Sequence, residues 1–314
     1  MDKIKETPLH VAAKKGHLDL VKYLAEKMSS SLPNRNSNGE TPLNLAALYG
    51  RHDVLKYFIS VLKCDPNTLG QYDRTPLHSA AQQGYSDIVK YLIEEQKCDS
   101  SIRKGADKVT PLHVAAKYGH LQIVQYLTQK HHCDPLRKNA ADENSLICAA
   151  RNGHLNIIEY FISELNIDPN APGPRNRTAL HFAAGSGHLD VMRYLIETCG
   201  CFPSSCQNDD KVTPLHVAAE GGHLHVVRYF TETQMCSPIT RDKYPFLPLH
   251  YAAQHGRLEV VRYCIEDCKC LPNISGYQDS KPLDLACYYG HNHVVKYLTS
   301  KIDTMHKTPQ EYNL

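Results

Sequence analysis

Apolar and polar positions along this chain fall into one pattern that is written nine times. The phrase Thr-Pro-Leu-His, or a degraded copy of it, begins at Thr7, Thr41, Thr75, Thr110, Asn144, Thr178, Thr213, Leu247 and Lys281, in steps of 34, 34, 35, 34, 34, 35, 34 and 34 residues. Residues 110–144 show the grammar of one unit. Thr110 is a helix N-cap, and Pro111 takes the first helical position, where its missing N–H costs nothing. Leu112, Ala115 and Ala116 mark the inner side of a short helix that Gly119 ends. His120 opens the turn into a second helix, expected from about Leu121 to Gln129, whose apolar stripe is Ile123, Val124, Tyr126 and Leu127. Cys133-Asp134-Pro135 leaves that helix, and residues 136–143 make an exposed polar connection to the next cap.

The other units follow the same rules. Alanine pairs at 12–13, 46–47, 80–81, 115–116, 149–150, 183–184, 218–219 and 252–253 allow close helix packing, with Ala286-Cys287 in the ninth unit. A single helix pair cannot bury its own apolar face, so neighbours must stack and share a core. Tyrosine recurs in the stripe of every second helix, at 23, 57, 91, 126, 160, 194, 229, 263 and 297. A tyrosine there is expected to pack its ring in the core and send its hydroxyl to a polar edge.

Composition changes this picture little. Residues 1–137 carry 19 Lys and Arg against 14 Asp and Glu, and the remainder carries 16 against 19. That gradient is too shallow to imply a nucleic-acid backbone as ligand. No run approaches the roughly 18 apolar residues of a membrane helix, so direct membrane insertion is not expected. The start, residues 1–10, has no hydrophobic leader segment, from which a cytoplasmic location is expected, with the nucleus as the other compartment. Of twelve cysteines, six share one register, seven residues after a repeated tyrosine: Cys64, Cys98, Cys133, Cys201, Cys236 and Cys270. Equivalent positions in stacked helices sit roughly 10 Å apart, too far for the Cα separation of up to about 7 Å that a disulfide spans. These six are expected to be small, buried, reduced thiols.

The sequences Thr75-Pro76-Leu77-His78…Ala80-Ala81…Gly84, Thr110-Pro111-Leu112-His113…Ala115-Ala116…Gly119-His120 and Thr213-Pro214-Leu215-His216…Ala218-Ala219…Gly222-His223 resemble the ankyrin repeat. The resemblance implies an all-α repeat solenoid of nine stacked helix–turn–helix units, with β-hairpin-like loops projecting as fingers beside a concave helical palm. It also implies protein binding without catalysis. The expected organisation is a single ankyrin-repeat domain over residues 4–303 and a C-terminal tail over 304–314, the tail loose or folded back as a cap. Three departures stand out. Repeat five has Asn144-Ser145-Leu146-Ile147 and so loses proline and histidine together; its local stability is expected to dip, as a bend or a contact site. Repeat eight lacks a hydroxyl cap, and repeat nine ends the motif with Asp284.

Chemistry-bearing residues follow the repeat. The motif histidines His10, His78, His113, His181, His216 and His250 are expected to hydrogen-bond locally and tie one loop to the next. A second ladder, His17, His52, His120, His154, His188, His223 and His291, is expected to be structural too. One potential ligand every 34 residues does not cluster around a metal. The best metal candidate, Cys264, Cys268 and Cys270, with Cys236 as a further member, lacks a C-x2-C pair and reads as reduced thiols, with zinc and redox sensing as the other readings. There is no phosphate loop, dinucleotide turn, H-E-x-x-H or nucleophile elbow, so no enzyme and no cofactor are expected.

The resemblance places the residues before each helix-closing glycine, and those before each cap, on the palm. The partner-binding candidates are therefore Lys14, Tyr49, Arg74, Lys117, Tyr118, Arg151, Arg177, Phe246, His255, Tyr288 and Tyr289. Tyrosine and arginine on a firm scaffold are common binding hot spots. An extended peptide across Tyr49, Tyr118 and Arg151 is the favoured picture, a modestly acidic one suiting the first half best. The expected function is a monomeric, non-catalytic scaffold or adaptor for a protein or extended peptide. The alternative is a substrate-recruiting or targeting module of a larger effector such as a ubiquitin ligase, kinase or channel.

Overall fold

The computed structural model describes residues 6–27, 35–103, 105–204 and 208–307. Among them the structure is helical and carries no strand. Each repeat supplies two helices. The first helices are α1 (Pro8–Lys15), α3 (Pro42–Leu48), α5 (Pro76–Gln83), α7 (Pro111–Lys117), α9 (Ser145–Arg151), α11 (Ala179–Ser186), α13 (Pro214–Gly221), α15 (Pro248–Gln254) and α17 (Pro282–Tyr288). The second helices are α2 (Leu18–Lys27), α4 (His52–Lys56), α6 (Ser86–Lys90), α8 (Leu121–His131), α10 (Leu155–Glu159), α12 (Leu189–Arg193), α14 (Leu224–Arg228), α16 (Leu258–Glu266) and α18 (Asn292–Lys307). In five repeats the second helix widens into a π-turn that begins on the repeated tyrosine, as at Tyr91–Glu95, where the Gln96 N–H donates to the Tyr91 carbonyl at 3.2 Å.

The chain forms two compact units, residues 1–149 with 159–161 and residues 150–158 with 162–314, so the division runs through repeat five. In the first unit α1, α3, α5 and α7 pack in sequence; in the second, α11, α13, α15 and α17 do. The alanine pairs on these helices are fully buried, which lets neighbouring backbones approach. The core between the rows is Leu and Ile, with Phe58, Phe161 and Phe230 completely enclosed.

Both helices of a repeat end in a left-handed turn. Gly84 closes α5 at φ +81°, and the Tyr85 N–H reaches back to the Ala80 carbonyl at 3.0 Å. A side chain at Gly84 would also press into the His120 ring, so glycine is required twice over there. The second helix closes one residue wider, through a bond to the carbonyl six residues back, with a non-glycine residue at the left-handed position in each described case but Gly200 of repeat six. Lys97 takes φ +56°, and the Cys98 N–H donates to the Leu92 carbonyl at 2.9 Å. Lys63, His132, Asn166, Met235 and Lys269 hold the equivalent left-handed position. The register cysteines thus begin the loop, where their small side chains fit under the helix end; Cys98, Cys133, Cys201, Cys236 and Cys270 are buried and Cys64 is half-buried.

The tyrosine ladder is an inter-repeat clamp. Tyr126 donates to Glu94 at 2.9 Å, Tyr229 to Glu197 at 2.8 Å, Tyr263 to Glu232 at 3.0 Å and Tyr297 to Glu266 at 3.0 Å. A cation of the preceding repeat lies over the same ring, Lys90 at 6.0 Å from Tyr126 and Arg228 at 4.8 Å from Tyr263. The expected ring burial holds for Tyr91, Tyr126, Tyr160, Tyr229 and Tyr263; Tyr57, Tyr194 and Tyr297 are half-buried, and Tyr23, in the first repeat, is exposed.

The fingers come in kinds that recur every third repeat. Gly70, Gly173 and Gly276 donate to the carbonyls of Arg74, Arg177 and Ser280, four residues on, and each is followed by two left-handed residues. Asn36, Asn139 and Asp242 instead fold the tip around a side-chain oxygen that accepts two backbone N–H groups. Within these two sets the spacing is 103 residues; Asn208 makes the same Asx fold outside that series, where Gly105 stands one period earlier. Helix α18 runs to Lys307, so the first four residues of the expected tail continue a helix; residues 308–314 of that tail lie outside the described residues.

Candidate functional site

Each motif histidine bridges its own cap and the next finger. In repeat four the Thr110 hydroxyl lies 2.7 Å from His113 Nδ1, the Thr110 N–H donates to the same nitrogen, and Nε2–H donates to the Glu143 carbonyl at 3.2 Å. His10 reaches Glu40, His78 Val109, His181 Val212, His216 Phe246 and His250 Ile274 in the same way. Asn44 replaces histidine in repeat two and still donates, to the Thr68 carbonyl at 3.1 Å. This geometry needs a neutral imidazole. Burial, the largest cause at each ring, pushes His78, His181 and His250 down to about 4 and lowers His113 and His216 as well.

The second ladder needs one correction. His52 is a residue out of register, and Arg51 takes the place: its Nε donates to the Lys14 carbonyl at 3.0 Å, while His52 stacks edge-on against Tyr91. Arg257 does the same to Glu220 at 2.9 Å. His120, His188, His223 and His291 donate to the carbonyls of Gln82, Arg151, Gly185 and Gln254, the open end of the preceding first helix. These ring nitrogens are therefore engaged in holding repeats together. Among the described residues no group of three His, Cys, Asp or Glu side chains converges as metal ligands would, and no helix is long and apolar enough to cross a membrane.

The candidate binding residues divide between the two units. In the first, Lys14 Nζ lies 5.2 Å from the Tyr49 ring centre and 3.5 Å from Glu6. Lys117 lies 5.6 Å from its neighbour Tyr118, and both are exposed. The terminal nitrogens of Arg74 are committed internally: they donate to Gln82 at 3.3 Å and to Asp107 at 3.2 Å.

In the second unit, Arg151 is exposed and lies over the Phe182 ring at 4.5 Å. His255 Nδ1 donates to the Tyr251 carbonyl at 3.0 Å and its Nε2 faces Glu220 at 3.8 Å. Phe246 packs against His250 and Gly276, so its side chain is more a finger support than a free contact. Tyr288 and Tyr289 meet edge-to-face at 5.0 Å and remain exposed. Arg177 occupies the place of Arg74 one 103-residue period later. Both arginines bury an Nε that has no hydrogen-bond partner. They differ in their surroundings, because the two acceptors of Arg74 are not repeated. Gly185 stands where Gln82 stood, and Asp210, the counterpart of Asp107, faces Lys243 at 3.7 Å. Sequence reasoning missed Tyr251 nearby, which donates to Asp242 at 2.7 Å; the burial of its hydroxyl and that carboxylate hold it well above the usual phenol range. The pairing ties α15 to the base of the finger before it, and no single-repeat motif announces it.

The family model for ankyrin repeats matches residues 1–69, 59–139, 131–205, 199–275 and 239–308. Comparison with curated proteins gives no match. Ankyrin repeats are generally protein–protein interaction modules without catalysis. With helix pairs, caps and loop ties all repeating in phase across the matched residues, the chain belongs to the ankyrin-repeat family.

Proposed function

We propose that this chain is a non-catalytic scaffold or adaptor whose second unit receives a carboxylate-bearing protein segment, with Arg177 as the receiving cation. The observation behind this reading is the half-buried Arg177, whose period-mates for Gln82 and Asp107 are a glycine and an aspartate turned to Lys243. Its counterpart Arg74 has the internal carboxylate of Asp107 at 3.2 Å. The enclosed Nε is unpartnered in Arg74 as well and does not set the two apart; the loss of the Gln82 and Asp107 acceptors does, and a partner carboxylate would replace them at the terminal nitrogens with the fork geometry that arginine favours. Arg151, Tyr288 and Tyr289 are further contacts in this reading, each exposed at a helix end. In the first unit, Lys14 with Tyr49 and Lys117 with Tyr118 offer separate cation–aromatic contacts. Buried free thiols suit a reducing compartment, and on that ground we place the chain in the cytoplasm or nucleus, acting as a monomer.

Affinity capture with mass spectrometry, run on wild type and on Arg177→Gln, Arg151→Ala and Tyr118→Ala, tests the assignment. A protein held by wild type and released by Arg177→Gln, with a calorimetric loss of about 2–5 kcal/mol against the purified partner, is the expected result. A partner held equally by Arg177→Gln and wild type would remove Arg177 from the interface. Loss in Tyr118→Ala alone would move the interface to the first unit.

A further inference from the structure

Repeat eight departs from every other repeat at one position. The residue after the repeated tyrosine is a large apolar side chain elsewhere: Phe58, Leu92, Leu127, Leu195, Phe230 and Leu298 are all enclosed. Repeat eight has Cys264 there, equally enclosed. The bond that closes the second helix brings this position against the residue that starts the loop, which is the register cysteine. In repeat three the two are Leu92 and Cys98; in repeat eight they are Cys264 and Cys270. The Cys270 N–H donates to the Cys264 carbonyl at 2.9 Å, which fixes the two backbones side by side. Their thiols lie close enough to influence each other, while Cys270 Sγ–H also points to the Pro238 carbonyl at 3.9 Å. The third cysteine, Cys268, is half-buried and meets the Tyr263 hydroxyl.

We propose that Cys264 and Cys270 are a redox-active dithiol, a modification site that closes to a disulfide when a peroxide-class oxidant reaches it. The pairing is local, so it escapes the separation that keeps register cysteines of successive repeats apart. The nearby Cys264 thiol holds Cys270 below the usual thiol range, and that proximity together with burial holds Cys264 above it. Cys270, which starts the loop, is assigned as the attacking thiolate, with Cys264 on the helix as its resolving partner. Its sulfur attacks one oxygen of hydrogen peroxide, the O–O bond breaks, and the departing hydroxide takes up a proton as water. The sulfur, oxidised by two electrons, is now a sulfenic acid. Cys264 sulfur attacks Cys270 sulfur, the S–O bond breaks, and the oxygen leaves as a second water carrying the Cys264 proton. Two thiols and one peroxide give one disulfide and two waters. Both thiols are enclosed, so the oxidant must reach them through the loop that Cys270 starts.

The test treats the whole folded chain with hydrogen peroxide, then unfolds it in an alkylating reagent and digests it with trypsin. Cleavage after Lys269 puts Cys264 and Cys268 on one peptide and Cys270 on another. The expected product is a peptide pair joined through Cys264 and Cys270, formed by wild type and by Cys268→Ser and lost in Cys264→Leu. That last change restores the side chain of the other repeats, and its thermal melt checks that it folds. Within wild type, Cys270 should lose alkylation while Cys98, facing Leu92, keeps it. Equal alkylation of Cys98 and Cys270 after oxidation, a link through Cys268, or an undiminished link in Cys264→Leu would each overturn the proposal.

Discussion

The motif histidine shows how much one side chain can carry. It accepts from a threonine cap and donates to the next finger, and only the neutral ring can do both. The unfolded chain takes up protons near the ordinary histidine value of 6.5, while folded His78, His181 and His250 hold out to about 4. Acid therefore favours the unfolded state. The contribution is complete above about pH 6.5 and is lost progressively as pH falls toward about 4. Thermal melts at pH 7 and at about pH 4.5 should show a clear drop; a flat profile would mean the rings are not held neutral. The left-handed lysine at the end of the second helix gives a second expectation. Lys97→Gly should raise stability by about 0.5–1 kcal/mol in a denaturant melt, because glycine adopts φ +56° without steric cost. At this scale the histidine bonds could be read from the sequence, since cap and ring sit three residues apart. The register of Arg51 was legible as well, since it follows Gly50 as His120 follows Gly119; the histidine beside it drew the misreading, and the bond to Lys14 corrects it.

Helices here are too short to stand alone, and their stability comes from the row they join. Leu112 is enclosed in α7 between its neighbours in the first unit. Leu112→Ala should cost about 2–5 kcal/mol, and a melt showing little loss would contradict the packing of that row. Helix α9 is the weaker element. Asn144 still caps it, accepting from the Ile147 N–H at 2.9 Å, and the Ser145 N–H donates to the Pro135 carbonyl at 2.9 Å, a bond that proline could not make. Yet Ser145 Oγ is buried without a partner, and Ile147 has no ring to tie the next finger. Hydrogen exchange should be faster in α9 than in α7; equal protection would show that the lost histidine is compensated elsewhere. The sequence located this irregular repeat through its missing proline and histidine. It did not disclose why serine replaces proline, because the acceptor, Pro135, lies in the preceding loop.

At the scale of the molecule, nine helix pairs were legible because caps, alanines and glycines recur in phase. The two compact units were not, since the division through repeat five follows from packing rather than from any break in phase. The recurrence of finger types was legible in principle: the two steps of 35 residues stand three repeats apart, and Asp107-Lys108-Val109-Thr110 returns as Asp210-Lys211-Val212-Thr213. Binding residues were the least readable, because exposure is seen in sequence only through family position while commitment to internal partners is not. Arg74 and Arg177 look alike in the chain, and so do Asp107 and Asp210. Only the structure shows that Asp107 turns to its arginine while Asp210 turns to Lys243. That contrast is why the capture experiment weighs Arg177→Gln above any other variant.

The triplet of fingers has a consequence for how such a chain can change length. Excising residues 179–281 would splice Thr178 directly onto Pro282, joining a threonine cap to a proline-led helix and leaving a Gly-tipped finger ahead of it, as at Gly276 now. Removing only the single repeat after Thr178 would instead set the glycine-tipped finger of Gly173 where the Asx-tipped one of Asn208 belongs, and the junction at the cut would join helices that are not neighbours now. The quantum in which this protein can be shortened or lengthened without a mismatched seam is therefore three repeats rather than one.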